Sequence, residues 1–483
     1  MTSRLVLAAP LACIFFATLP AFAFPAENLP TGLTSEPTVK KLVIGLLMPE
    51  DDSPFLSAAK IVGNGLAAAS KTSGRNVEVL QIEASSAASL DAQIDAAVSA
   101  GVDVVVGPLQ KNAVEILVRR TSLPLPVVAL NTSDTPNLSA CPNNLIMMSV
   151  STEREAQFIA QAAARSLTTA PQPAKAAILA GPSAWEQKLS ETYQQALGEL
   201  GVDFDVFQVD EEHLAELQKT FEPKLSFEDL QAFEERRKEI QKTVEGSHQL
   251  KRALAAVTSE EKAKIAMSDP PYAAALLALD IQGASLIRNR LPRLMRVWAT
   301  SASNPGDPRT SSTSATLTYD LEKVVFSECP IVVRYDAQGF EARFRTAMPY
   351  SLAAKRLFAL GVDAFSVALD WSAHREEFSI DGQTGSLTLD RSASPVVNRK
   401  PQLIGVEGGR LIELTMDEAE KGKFPEKSAV EETAPLASVE EVFGNVRRTD
   451  VAPVTAEDLG DGPSPSPILN TPKKLTLPTQ AQP

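Results

Sequence analysis

The sequence predicts an α/β fold of two lobes, each a parallel sheet covered by helices, joined by a hinge, with a helical insertion in lobe two and a disordered C-terminal tail. Three observations predict it. The chain has 483 residues, more than a single hydrophobic core usually organises. From Lys41 onward, short apolar runs alternate with helical patterns of about a dozen residues, the order that specifies βαβ units and hence parallel strands. The alternation halts near the Pro-containing segment TTAPQPA (168–174) and then restarts, which makes two sheets rather than one.

The first run opens with KLVIGLLMP, residues 41–49, an apolar stretch ended by proline that reads as a strand buried on both faces. Phe55, Ala59, Val62 and Leu66 then recur at helical spacing until Gly74, a residue suited to stopping a helix. Strands follow at 76–83, 102–108 and 126–131, with helices over 89–101 and after Lys111. In the second run, 175–182 is a strand, 184–201 a helix stopped by Gly201, and 202–210 a strand; further strands fall at 272–280, 295–301 and 323–333.

Residues 211–268 break this rhythm. They are rich in Glu, Lys and Arg, and Leu230, Phe233, Ile240 and Val244 recur at helical spacing behind a Ser226/Asp229 capping pattern. A charged helical hairpin standing on lobe two is the expectation. From 424 to 483 the chain turns to Pro, Ser, Thr and Glu with few aromatics, too little apolar surface to offset the entropy of ordering.

The first residues carry a secretory leader: Arg4, an apolar run from Leu5 to Leu19, and a small-residue cleavage site at Ala21-Phe22-Ala23. Residues 1–23 are therefore read as a signal peptide and 24–40 as a spacer, placing the mature protein in the periplasm. A weak lipoprotein box, Leu11-Ala12-Cys13, offers an alternative in which Cys13 is lipidated and the chain is peripheral to the outer membrane. Beyond the leader no apolar run approaches the roughly 20 residues of a membrane span. Cys141 and Cys329 remain after cleavage; a disulfide and two buried free thiols both fit an oxidising compartment.

Composition narrows the function. With 44% hydrophobic residues the chain can fill sizeable cores, and a formal charge of −14 argues against a nucleic-acid partner. The three histidines, His213, His248 and His374, lack metal or triad spacing, so no metal site, cofactor or catalytic residue is expected. GPSAW at 181–185 lacks the second glycine of a nucleophile elbow, and GNG at 63–65 lies inside a helix, away from any phosphate loop. Binding, not catalysis, is the expected activity.

Several segments together resemble a known family. KLVIGLLMP, VDVVVGPLQKNAV, PVVALN, SVSTEREAQFIAQAAA, KAAILAGPSAWEQKLSETYQQALGELG, RVWATSASNP and LFALGVDAF…IDGQTGSLTLD occur, in that order, in a pattern similar to the penicillin-binding protein activators, the LppC/LpoA-like proteins of type 1 periplasmic-binding-protein fold. The resemblance runs from about Lys41 to Leu414, outside the insertion. It implies lobe one at 41–148 and 334–378, and lobe two at 149–333 and 379–415. It also implies a partner, a class A penicillin-binding protein activated by contact. Cys141 and Cys329 would each precede a crossing between lobes, where a disulfide would restrict opening. Some activators carry a helical-repeat domain before this fold, and none is expected between residues 24 and 40.

A second reading stands beside it, a solute receptor of an amino-acid ABC transporter, with a small polar ligand. The same fold serves such receptors, but Gly107-Pro108-Leu109-Gln110-Lys111 and Ala129-Leu130-Asn131 are poor in the hydroxyls that grip an amino acid there. On either reading the candidate cleft residues are Asp51, Gln110, Asn131, Trp185 and Ser301, each at or just beyond the C-terminal end of a predicted strand.

Overall fold

The computed structural model describes residues 41–84, 90–135, 137–168, 174–306, 308, 311–333, 344, 347–424 and 473–475. The leader, the spacer and most of the tail lie outside these residues.

Lobe one begins with β1 (Leu42–Leu47), α1 (Leu56–Thr72), β2 (Val77–Ile82), α2 (Leu90–Ser99), β3 (Val104–Val106), α3 (Lys111–Val118), β4 (Val127–Ala129) and β5 (Leu145–Met147). All pair in parallel, with Ile44 opposite both Val79 and Val104, and Val128 opposite Ile146. Apart from Glu78 and Gln81 of β2, the strands are short and made of Val, Ile, Leu, Met and small residues, as suits a sheet covered by helices on both faces.

The chain then enters lobe two through α4 (Thr152–Thr168), β6 (Ala176–Ala180), α5 (Ala184–Glu199), β7 (Phe204–Gln208), α6 (Leu214–Phe221), α7 (Phe227–Thr243), α8 (Ser247–Ala266), β8 (Ala274–Ala278), α9 (Ile281–Arg288), β9 (Arg296–Ala299), α10 (Ser312–Asp320), β10 (Val324–Glu328) and α11 (Pro330–Val333). β6 and β8 read AAILA and AALLA and are wholly buried, their alanines leaving room for α4 and α5 on the sheet. The strand expected over 323–333 stops at Glu328, because Pro330 lacks the N–H a strand would donate and instead opens α11.

The remaining elements are α12 (Leu352–Ser372), β11 (Glu377–Asp381), β12 (Ser386–Asp390), β13 (Asn398–Lys400), β14 (Gln402–Glu407), β15 (Arg410–Leu414), α13 (Met416–Lys421) and β16 (Lys473–Leu475). The first sheet runs β16-β2-β1-β3-β4-β5, the second β15-β14-β10-β9-β8-β6-β7, and β11-β12-β13 form a small antiparallel sheet. α12 returns to lobe one and lies against α1 with backbone nearly touching backbone. A Cβ on Gly65 would stand 2.1 Å from the Phe358 carbonyl oxygen, and one on Gly361 2.0 Å from that of Val62. Only glycine permits that approach.

The third passage between lobes differs from the expected return at residue 379. β13 is preceded by a ladder to lobe one, with Val397 N–H donating to Met147 O at 2.8 Å, and the second sheet is rejoined at Gln402. The insertion divides in two. α6 belongs to the core, where Phe221 packs edge-on against Phe207 and Tyr272. α7 and α8 form the hairpin, closed by Arg236–Glu260, Arg237–Glu261 and Lys264–Asp229 pairs and started by the Ser226 hydroxyl accepting from Asp229 N–H. Leu230, expected on its apolar stripe, is exposed.

Candidate functional site

The loops beyond the strand ends carry the five candidate residues. Asp51 is exposed in the turn after β1. Gln110, the residue before α3, donates from Nε2 to Ser53 Oγ at 3.0 Å. Asn131 follows β4; its Nδ2 donates to Leu109 O at 3.1 Å and its Oδ1 accepts from Thr132 N–H. The polar groups of Gln110 and Asn131 thus hold the loops of their own lobe. Trp185, in the first turn of α5, is 44% exposed. Among the described residues no hydrogen bond joins any two of the five.

Ser301 leads elsewhere. It is buried in a single 3₁₀ turn, Ser301–Ser303, and both its backbone groups are used: N–H donates to Glu155 Oε2 at 3.1 Å, and the carbonyl accepts from Arg356 Nη2 at 2.9 Å. Those partners belong to a buried ionic cluster at the hinge that sequence reading missed. Glu155, on the first turn of α4, is 2% exposed and pairs with Arg399 of β13 at 3.0 Å; the Ser327 hydroxyl also donates to it. Arg399 Nε donates to Thr384 O at 2.9 Å. Glu328, fully buried at the end of β10, receives Arg356 Nε at 3.0 Å and Arg356 Nη2 at 2.6 Å, a two-pronged pair from α12. Asn304 Nδ2 and Cys329 N–H complete its shell.

Burial works against the charge of Arg356, but the Glu328 carboxylate outweighs it and holds the guanidinium more firmly protonated than usual. Burial likewise opposes Arg399, and Cys329 and Glu155 together outweigh it. Asp363, also on α12, accepts from Gln383 N–H, Thr384 N–H and the Thr384 hydroxyl. Burial nevertheless dominates those donors and pushes its carboxyl up to about 6. Through Thr384 it is tied to Arg399, so a chain of contacts runs from α12 to α4.

Of the described residues, Cys141 and Cys329 are buried and unpaired. Cys141 Sγ accepts from Arg391 Nη2 and Cys329 Sγ from Arg399 Nη2, each at 3.5 Å, and burial pushes the Cys329 thiol up to about 12. Among the described residues no group of three or more His, Cys, Asp or Glu is placed to hold a metal ion, and no helix is long and apolar enough to cross a membrane.

A family model described as "LppC putative lipoprotein" matches residues 20–403. A Chromobacterium violaceum structure described as a "putative branched-chain amino acid ABC transporter" is similar at 24% identity, covering 75% of this chain and 99% of its own, with a TM-score of 0.52. The C-domain of Haemophilus influenzae LpoA, described as a regulator of PBP1A, is similar at 18% identity over 77% of this chain and 100% of that domain, TM-score 0.51. Full-length LpoA from the same organism is similar at 16% identity over 78% of this chain but 59% of its own length, TM-score 0.53. No curated protein sequence matches the chain. The structural likenesses show the type 1 periplasmic-binding-protein fold.

Proposed function

The chain belongs to the LppC lipoprotein family, and on that premise we propose that it is a non-catalytic, exported regulator of peptidoglycan synthesis that activates a class A penicillin-binding protein by direct contact. The family match over residues 20–403 carries this reading. The likeness to the C-domain of LpoA, described as a regulator of PBP1A, favours the same partner class. The cleft chemistry is consistent with it. Gln110 and Asn131 spend side-chain hydrogen bonds on their own loops, and Ser301 spends its backbone on hinge residues. That leaves Asp51 and Trp185, both exposed, to meet a partner, and an exposed aromatic suits a protein surface. Its place is the periplasm, and the family's lipoprotein character favours attachment at the outer membrane.

The experiment is capture from envelope extracts under mild crosslinking, followed by a synthase assay with the captured enzyme. Recovery of a class A penicillin-binding protein, with faster glycan polymerisation or crosslinking when the purified protein is added, is the expected result. Recovery of none would overturn the proposal.

The Chromobacterium likeness favours a second reading, a solute receptor. It requires millimolar branched-chain amino acids to raise the melting temperature, since a ligand bound only by the folded state stabilises it. The regulator reading expects no such shift.

A further inference from the structure

The chain passes between the lobes three times, and each passage carries a member of the buried cluster: Glu155 just after the first, Glu328 at the second, Arg399 just before the third. Arg356 adds a fourth member from α12, whose packing surface belongs to lobe one. We propose that the pairs Arg356–Glu328 and Arg399–Glu155 form a hinge lock that fixes the angle between the lobes, so that the protein offers one rigid composite surface and does not close on a solute. The inference rests on the hinge geometry and stands or falls apart from the identity of the partner.

Three features carry it. Arg356 grips lobe two at two points, the Glu328 carboxylate and the Ser301 carbonyl, so turning α12 against β10 breaks every one of these contacts. Arg399 and Glu155 are 5% and 2% exposed, so moving β13 against α4 must first break an ion pair that water does not reach. The satellites are also committed: Ser327, Asn304 and the N–H groups of Ser301 and Cys329 all donate into the two carboxylates. A hinge that flexes concentrates its motion in a few residues free to change backbone angles. Here Ser301, Glu328 and Arg399, beside the passages, are each held by hydrogen bonds or ion pairs to another element.

The test places spin labels on the full-length protein at Val98→Cys of α2 and Leu200→Cys after α5, both exposed positions on different lobes, and reads the distance between them. Cys141 and Cys329, buried, stay unlabelled, and Cys13 is replaced by serine. One narrow distance peak, unmoved by millimolar leucine, is expected. A second peak appears when the lock is dissolved with both partners neutralised, Arg356→Met with Glu328→Gln. Two peaks in the otherwise native protein, or a leucine-dependent shift, overturn the proposal whether or not the double variant folds. So does a folded double variant with the same single peak. Synthase capture by the labelled protein is measured in parallel, so loss of partner binding and mobility of the hinge are read separately.

Discussion

Replacing Arg399 by methionine removes the guanidinium and keeps much of the volume of its stem. Glu155 is then left 2% exposed with only Ser301 N–H and the Ser327 hydroxyl against its charge. Stranding one member of a buried ion pair costs about 3–5 kcal/mol. At about 2.1 cal/mol/K per residue, the roughly 380 residues of the fold carry an unfolding entropy near 0.8 kcal/mol/K, so the melting temperature should fall by about 4–6 °C. The double variant Glu155→Gln with Arg399→Met removes the stranded charge and should recover at least half of the loss. Arg399→Lys should recover less than wild type, because a single ammonium cannot serve both Glu155 and the Thr384 carbonyl as the fork does. Differential scanning calorimetry of the four proteins at one pH decides it. A melting point for Arg399→Met within about 1 °C of wild type, or a double variant no better than the single, refutes the reasoning.

Gly361→Ala drives a methyl into the Val62 carbonyl and must push α12 off α1, an overpacking penalty of about 1–3 kcal/mol visible as a lower urea midpoint; an unchanged midpoint would contradict the close approach. Asp363 titrates at about 6 folded against 3.8 unfolded, so the native state holds the extra proton between those values, and the stability this group contributes is complete below about pH 4 and lost as pH rises through 6. Asp363→Asn should remove that part of the profile, at most about 3 kcal/mol across the window; parallel stability curves for the two proteins would show that the three hydrogen bonds offset burial in full and refute the upward shift. Thiol titration of the mature protein should find no reaction in the native state and two reactive groups, Cys141 and Cys329, after unfolding without reductant; none after unfolding would establish a disulfide.

What the sequence made legible follows from burial on two faces. Runs such as VVV in β3 and VVA in β4 admit no polar position and announce themselves, as do the glycines and prolines that end them. β5 escaped notice because LIM is followed at once by the Ser-rich lead into α4, and three residues carry too little periodicity to separate from it. α6 was merged with the insertion because its polar flanks hide Leu217 and Phe221, and only tertiary packing against Phe207 and Tyr272 distinguishes it from the exposed hairpin. Among the candidate residues, Gln110, Asn131 and Trp185 were placed by the rule that strand ends present loops. Ser301 obeyed the rule and still turned inward, since its neighbours at the hinge were unknown.

The cluster itself was invisible for a definite reason. Glu328 closing VVFSE and Asp363 within LFALGVDAF are lone charges among apolar neighbours, while Glu155, behind Glu153 and Arg154, shares a face of α4 with Ile159. Each such residue taken alone reads as a surface position, and the partner that neutralises it is far away in sequence: Glu155 and Arg399 are 244 positions apart. A fold that only needed to close on a solute would gain little from burying these charges, because an ion pair withdrawn from water seldom adds net stability over well-packed apolar residues of similar size. Geometry is what such a pair supplies, since the fork of an arginine accepts one orientation of a carboxylate and penalises the rest. Two forks at right places, one reaching from lobe one into lobe two and the other joining the last passage to the first, set the lobe angle more narrowly than apolar packing would. A protein that works by showing another protein a shape has a use for that constraint, whereas a receptor that must open to release its cargo would have to break it in every cycle.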